Sequence, residues 1–91
     1  MARFVWDEIK RRKNIALHGL DFAVVADDFI FLEALIEPTY SGPDGRPRFT
    51  AIGPLGNDLV TIVFSMLGSE AVSIISLRRA SRKERRRYVE I

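Results

Sequence analysis

The segment of residues 72–88 constrains the fold of this chain more than any other stretch. Its first half is apolar and rich in β-branched residues, which predicts a buried strand. Its second half starts with Ser81 and has Glu84 three residues later. In this capping-box spacing, each side chain satisfies a free backbone N–H at the start of a helix. Seven of the fourteen Lys and Arg residues lie between Arg78 and Arg87. The sequence therefore predicts a buried strand that leads into a capped, strongly basic helix.

The chain of 91 residues has the size of one domain, spanning residues 1–91. It has no cysteine, which excludes disulfides and thiolate metal sites. The longest uncharged run, residues 59–69, is too short to span a bilayer, and the first residues lack an apolar stretch of signal-peptide length. We therefore expect a cytoplasmic protein without a membrane segment.

The N-terminal third predicts one strand and two helices. Residues 3–6 alternate as in a strand, Asp7 is a helix N-cap, and the helix runs to about His18, where Gly19 suits a left-handed C-cap. A second helix is predicted over residues 22–29, with Asp21 as its N-cap. The stripe of the first helix predicted to face inward consists of Ile9, Lys13 through its stem, Ala16 and Leu17.

The remainder predicts strands over residues 30–36, 48–53, 59–66 and 71–78, with Pro38 ending the first of them. In the last strand, simple alternation places Ser76 and Arg78 on the face of Ile74. Short turns predict antiparallel neighbours. The fold class is α+β, a small antiparallel sheet with two N-terminal helices and one C-terminal helix in the order β-α-α-β-β-β-β-α, with the helices packed on one face.

The reactive side chains present in the sequence limit the chemistry that the protein can perform. There is one histidine, and acidic pairs such as Asp27 and Asp28 lack a third partner at a useful spacing, so we predict neither a metal nor a cofactor. Cationic groups, one imidazole and hydroxyls suffice for cleaving RNA without a metal, because the ribose 2′-hydroxyl supplies the nucleophile. Guanidinium groups can bond phosphate oxygens in pairs.

Three blocks of the sequence resemble the BrnT toxins of type II toxin–antitoxin systems. The resemblance implies a fold similar to RelE ribonucleases and a metal-independent endoribonuclease toxin that inhibits translation. It also implies an RNA substrate and a neutralising antitoxin of the BrnA kind with a ribbon-helix-helix part. The matching residues are Phe4-Val5-Trp6-Asp7-Glu8, Lys10, Asn14, His18-Gly19 and Asp21-Phe22-Ala23; then Arg48 and Ile52-Gly53; then Ile74-Ile75-Ser76, Arg78, Ala80, Glu84-Arg85 and Tyr88.

The candidate site residues follow from this resemblance and from the basic C-terminal segment. The catalytic candidates are Lys10, His18, Arg48, Arg78 and Glu84. The RNA-binding candidates are Asn14, Arg79, Arg82, Arg85 and Tyr88.

Each candidate also has a structural explanation. His18 can cap the end of its helix, Asn14 can cap a neighbouring loop, and Arg78 can pair with an acid of the last helix. Glu84 can serve only the capping box. The corresponding alternative function is a non-catalytic module that binds RNA or an antitoxin.

Overall fold

The computed structural model describes residues 3–90. Within this range there are five strands, three helices and one 3₁₀ turn, Phe31–Glu33, which precedes the second strand. Their bounds are β1 Arg3–Trp6, α1 Glu8–His18, α2 Ala23–Asp28, β2 Leu35–Thr39, β3 Arg48–Leu55, β4 Asp58–Leu67, β5 Ala71–Arg79 and α3 Arg82–Val89. The α+β class predicted from the sequence is confirmed.

The five strands form one sheet in the order β1-β5-β4-β3-β2. The prediction of an antiparallel sheet is wrong for one strand, because β1 pairs in parallel with β5. The other pairs are antiparallel, joined by a loop of residues 40–47 or by short turns. The chain between β1 and β5 is long enough for these two strands to pair in parallel. The sheet is therefore mixed.

The predicted caps of α1 are confirmed, whereas the N-cap of α2 is Phe22, one residue after the predicted Asp21. The Asp7 side chain accepts a hydrogen bond from the Ile9 N–H at 2.8 Å, and Gly19 ends α1 with φ of 69°. Asp21 accepts from the Ala23 N–H at 3.0 Å. Each of these contacts joins residues that are near neighbours in the chain, so the sequence pattern contains the whole interaction.

The strand predicted over residues 30–36 is wrong in its first half. That half forms the 3₁₀ turn, and β2 begins only at Leu35. Pro38 lies inside β2 and does not end it. Because β2 is the outer strand of the sheet, the missing N–H of a proline is tolerated there.

The main core lies on one face of the sheet, beneath α2. Phe22, Val25 and Phe29 pack there against alternate residues of β3, β4 and β5. Gly53 belongs to this face, and a β-carbon added to it would lie 3.1 Å from Phe29 Cζ. A side chain at position 53 would therefore crowd the Phe29 ring, which must shift slightly to admit it.

Helix α1 does not bury the stripe predicted from its apolar residues. Ile9 and Leu17 are 63% and 77% exposed, and Lys13 and Ala16 are exposed as well. The buried residue of α1 is Asn14, whose side-chain amide donates to Leu77 O at 2.8 Å and accepts from Leu77 N at 3.1 Å. The helix thus lies along the edge of β5 beyond the end of β1. The β5 backbone has no strand partner on this edge, so α1 must supply polar groups to it.

A β-bulge at Ile75 shifts the alternation of side chains in β5. Val63 of β4 lies opposite Ser76, and the next residue, Phe64, lies opposite Ile74. Ser76 and Arg78 therefore face away from the main core, contrary to the prediction that they share the face of Ile74. The bulge exists only in the pairing of two strands, so alternation within one strand did not indicate it.

Helix α3 packs on this second face of the sheet, so the prediction that all helices lie on one face is also wrong. The Glu84 carboxylate of α3 binds Arg78 of β5. At the other end of α3, Arg87 Nε lies 3.2 Å from Glu37 Oε1 of β2. The Tyr88 hydroxyl donates to Glu33 O at 3.1 Å. Among residues 3–90, no helix is long and apolar enough to cross a membrane.

Candidate functional site

A groove of about 420 Å³ lies between α1, the loop that joins β2 to β3, and the bulged part of β5. These three elements are distant in sequence, and the groove exists only once the sheet has formed. The residues that line it are Lys10, Lys13, Asn14, Leu17, His18, Pro43, Arg48, Ile75 and Ser76.

The charge of the groove is of one sign. Lys10, Lys13 and Arg48 bring three cations to it, His18 brings the imidazole, and within residues 3–90 no carboxylate is among the lining residues. Low-dielectric walls around charges of one sign strengthen their attraction for an anion. The groove is therefore suited to a phosphate group and offers no acidic ligand to a divalent metal.

Local structure places the groups of α1 at the groove. Lys10, Asn14 and His18 are spaced by four residues, so they lie on one side of the helix. Asn14 bonds the centre of α1 to β5. A third hydrogen bond, from its amide N–H to Leu20 O at 2.9 Å, holds the chain that follows the helix. The position of His18 relative to β5 thus depends on the buried amide of Asn14.

The end of α1 is also held from β5. The guanidinium of Arg79 donates to His18 O at 3.3 Å, and its Nε lies 3.8 Å from Asp58 Oδ2. Arg79 therefore contacts the backbone of a groove residue while its own side chain stays outside the groove lining.

Arg78 and Glu84 form a bidentate pair with N–O distances of 2.6 and 2.9 Å. The Glu84 side chain is only 10% exposed and also accepts from the Ser81 N–H at 2.8 Å. Hydrogen bonds from Arg78, reinforced by the one from Ser81, lower the pKa of Glu84 to about 2 in spite of its burial. Both groups are thus engaged with each other and absent from the groove lining.

The other basic residues of α3 point elsewhere. Arg82 is exposed, and the Arg85 Nε donates to Ala80 O at 3.3 Å. Tyr88 uses its hydroxyl to dock α3 next to β2. The helix presents a positive outer surface, separate from the groove.

Comparison with known proteins now identifies the family. The family described as "Ribonuclease toxin, BrnT, of type II toxin-antitoxin system" matches residues 6–84 of this chain. The chain belongs to the BrnT family. The crystal structure of the Brucella abortus ribonuclease toxin BrnT is 42% identical in sequence and superimposes with a TM-score of 0.74. That match covers 90% of this chain and 100% of the Brucella chain. No curated protein matches the chain.

The resemblance seen in the sequence is therefore confirmed, and BrnT membership implies an RNA substrate and an antitoxin partner. Of the ten predicted site residues, four line the groove of this BrnT protein: Lys10, Asn14, His18 and Arg48. The other six lie outside it: Arg78, Arg79, Arg82, Glu84, Arg85 and Tyr88.

Sequence reasoning missed two polar residues of the BrnT groove, Lys13 and Ser76. Lys13 was predicted to face inward, although its spacing of three from Lys10 was a usable signal. Ser76 reaches the groove because the bulge at Ile75 turns it there, and nothing in the sequence of β5 alone indicates that bulge.

Proposed function

We propose that this protein is an endoribonuclease toxin that acts without a metal, and that the groove beside α1 binds the RNA phosphate to be cut. The observation that carries the proposal is the convergence of one imidazole and three cations, from α1 and β3, on a groove without a carboxylate. Membership of a family of ribonuclease toxins supports the same function.

The proposed reaction uses the RNA itself as nucleophile. The ribose 2′-oxygen forms a bond to phosphorus while the bond to the 5′-oxygen breaks, which yields a 2′,3′-cyclic phosphate and a 5′-hydroxyl. One proton leaves the 2′-hydroxyl and one is delivered to the leaving oxygen. The imidazole of His18 takes or gives these protons, and Lys10 and Arg48 stabilise the charge on the non-bridging oxygens.

The remaining predicted residues take supporting roles in this proposal. Asn14 positions α1, and Arg78 and Glu84 hold α3 on the sheet, because their polar groups are already bonded within the protein. The exposed basic surface of α3, with Arg82 and Arg85, attracts the RNA backbone without taking part in the reaction. The setting is the cytoplasm, where translated RNA is found, and the fold is of the RelE-like kind.

The test is incubation of the purified protein with single-stranded RNA in excess chelator. Cleavage should proceed and leave cyclic phosphate ends, and RNA methylated at the 2′-oxygen should stay intact. We expect His18→Gln to lower the rate by about 10²-fold or more, and Arg48→Ala by about 10²-fold. Arg86→Ala, on the exposed side of α3, is the matched charge control and should change the rate little. Intact RNA with folded wild-type protein would refute the proposal.

A second candidate function is a binding module without catalysis, which recognises RNA or an antitoxin. One observation favours it. Ile9 and Leu17 form an exposed apolar strip on α1, which RNA phosphates would leave uncovered. RNA that binds in a salt-sensitive manner but is never cut would select this function.

For the toxin, the same strip is our proposed docking surface for the antitoxin, of the BrnA ribbon-helix-helix kind. Because Leu17 also lines the groove, an antitoxin lying on Ile9 and Leu17 would block access to Lys10 and Lys13. The double variant Ile9→Asp, Leu17→Asp should lose antitoxin binding. Leu32→Asp, at a site that is 98% exposed, should keep it. Equal loss in both variants would contradict this location.

A further inference from the structure

Arg48 differs from the other partly buried arginines in how it is held. Arg11 and Arg78 bind the carboxylates of Asp21 and Glu84 at 2.7 and 2.6 Å. Arg48 is also partly buried, yet within the described part of the chain no carboxylate lies within ion-pair distance of it. Its N–H groups are therefore left for a ligand, and something other than an acid must keep the guanidinium in place.

The backbone of Gly42, and not an acid, lies against the Arg48 guanidinium. A β-carbon built on Gly42 would lie 2.5 Å from both Cζ and Nε of Arg48, and it would contact Nη2 as well. The guanidinium thus rests directly on the α-carbon of Gly42. The φ angle of Gly42 is not positive, so the reason for a glycine here is space and not backbone conformation.

The loop around Gly42 is itself well held. The Gly42 carbonyl accepts from the Gly45 N–H at 2.9 Å, and the Gly42 N–H donates to Arg46 O at 3.3 Å. The Asp44 side chain accepts from the Arg46 N–H at 3.0 Å, and Pro43 occupies the second position of the turn. Both backbone polar groups of Gly42 are bonded, so this residue is a fixed support for the arginine.

We propose that Gly42 is a positioning residue for Arg48: its bare α-carbon supports the guanidinium so that the N–H edges face the phosphate in the groove. The inference rests on the proposed function, since Arg48 must contact the substrate for its position to matter. Planar guanidinium groups bind phosphate best through paired hydrogen bonds, which demand a defined orientation.

The test is Gly42→Ala. The added methyl group meets the far end of a flexible side chain, so we expect Arg48 to move and the fold to persist. The cleavage rate should fall by about tenfold to a hundredfold, because a displacement of about 1 Å is enough for such a loss. In the double variant with Arg48→Ala, the rate should be no lower than in Arg48→Ala alone.

Gly68→Ala is the matched control. Gly68 has φ of 64° in the turn between β4 and β5, and an added β-carbon there would meet nothing within 4 Å. This variant strains a turn without contacting Arg48, so it should lose thermal stability and keep the cleavage rate. A readout that does not need activity is the NMR signal of the Arg48 Nε–H, which should change in Gly42→Ala and stay unchanged in Gly68→Ala.

The outcomes separate the two proposals. If wild-type protein cuts no RNA, the proposed function fails. If Arg48→Ala cuts normally, the role of Arg48 in cleavage fails, and with it the need to position Arg48. In either case the Nε–H signal still decides whether Gly42 orders Arg48. If Arg48→Ala is slow but Gly42→Ala is fast with an unchanged signal, the positioning role is overturned. If the rate loss of the double variant equals the product of the two single losses, the positioning role of Gly42 is also overturned.

Discussion

Glu84 is a member of the predicted capping box and also a catalytic candidate, in which case it would be the general base; Glu84→Gln distinguishes the two roles. The substitution keeps the size of the side chain and an oxygen for the capping bond to the Ser81 N–H, but it removes the charge that binds Arg78. If Glu84 acts structurally, stability should fall and catalysis should survive. If it is the general base, the reverse should hold.

The expected loss of stability follows from the pKa of Glu84, which hydrogen bonds from Arg78 above all, and from Ser81, lower from 4.5 to about 2. Each tenfold change in the acid dissociation constant corresponds to about 1.4 kcal/mol, so the full pKa change corresponds to about 3 kcal/mol of folding free energy. Solvent reaches the Arg78 side chain, which is 34% exposed, and screens part of this interaction. We therefore expect Glu84→Gln to lower the free energy of unfolding by about 2 kcal/mol at pH 7, and Tm by roughly 8–15 °C.

The pH dependence supplies a second check. A carboxyl whose pKa is lowered by folding stabilises the protein above the unfolded-state pKa and loses this contribution as pH falls through the folded-state pKa. The difference between wild type and Glu84→Gln should therefore be complete above about pH 5. It should shrink as pH falls from 4.5 toward 2.

Thermal melts from pH 7 down to pH 2.5, read by circular dichroism, measure this difference. Glu70→Gln, an exposed carboxyl in the turn after β4, is the control and should melt like wild type. The cleavage rate of Glu84→Gln should be compared with that of wild type at a temperature below the Tm of the variant. A stability difference that does not shrink in acid would refute the ion-pair argument, and a loss of activity of about 10²-fold in folded protein would make Glu84 catalytic.

Three further substitutions test contacts that stabilise the fold. Asn14→Ala leaves the buried N–H and C=O of Leu77 without partners and should cost about 2–3 kcal/mol in urea unfolding; a cost below about 0.5 kcal/mol would contradict the role of this amide. Gly53→Ala places a methyl group 3.1 Å from the Phe29 ring and should cost about 1–2 kcal/mol in the same assay, whereas unchanged stability would mean that the ring moves freely. Asp21→Asn should cost about 1 kcal/mol at pH 7. Its difference from wild type should close as pH falls toward 2, because hydrogen bonds from Arg11 lower the pKa of Asp21 to about 2; a difference independent of pH would count against it.

The sequence alone determined the features that depend on neighbouring residues. The capping box of Ser81 and Glu84 forms as predicted, with both of its hydrogen bonds, and Gly19 ends α1 in the left-handed conformation. Such contacts close within four residues, so the pattern of residue types contains both partners. The α+β class and family membership followed from the order of these elements and from three matching blocks.

Only the tertiary structure decided which residues share the groove. The bulge at Ile75 turns Ser76 away from the main core, and the unpaired edge of β5 draws Asn14 inward while Leu17 stays outside. Both outcomes depend on the register of strands that are distant in sequence, and a shift of one residue moves a side chain to the opposite face. Arg48 and His18 meet in the groove, whereas Arg78, on the same face of the sheet as Ser76, binds Glu84 of α3 instead.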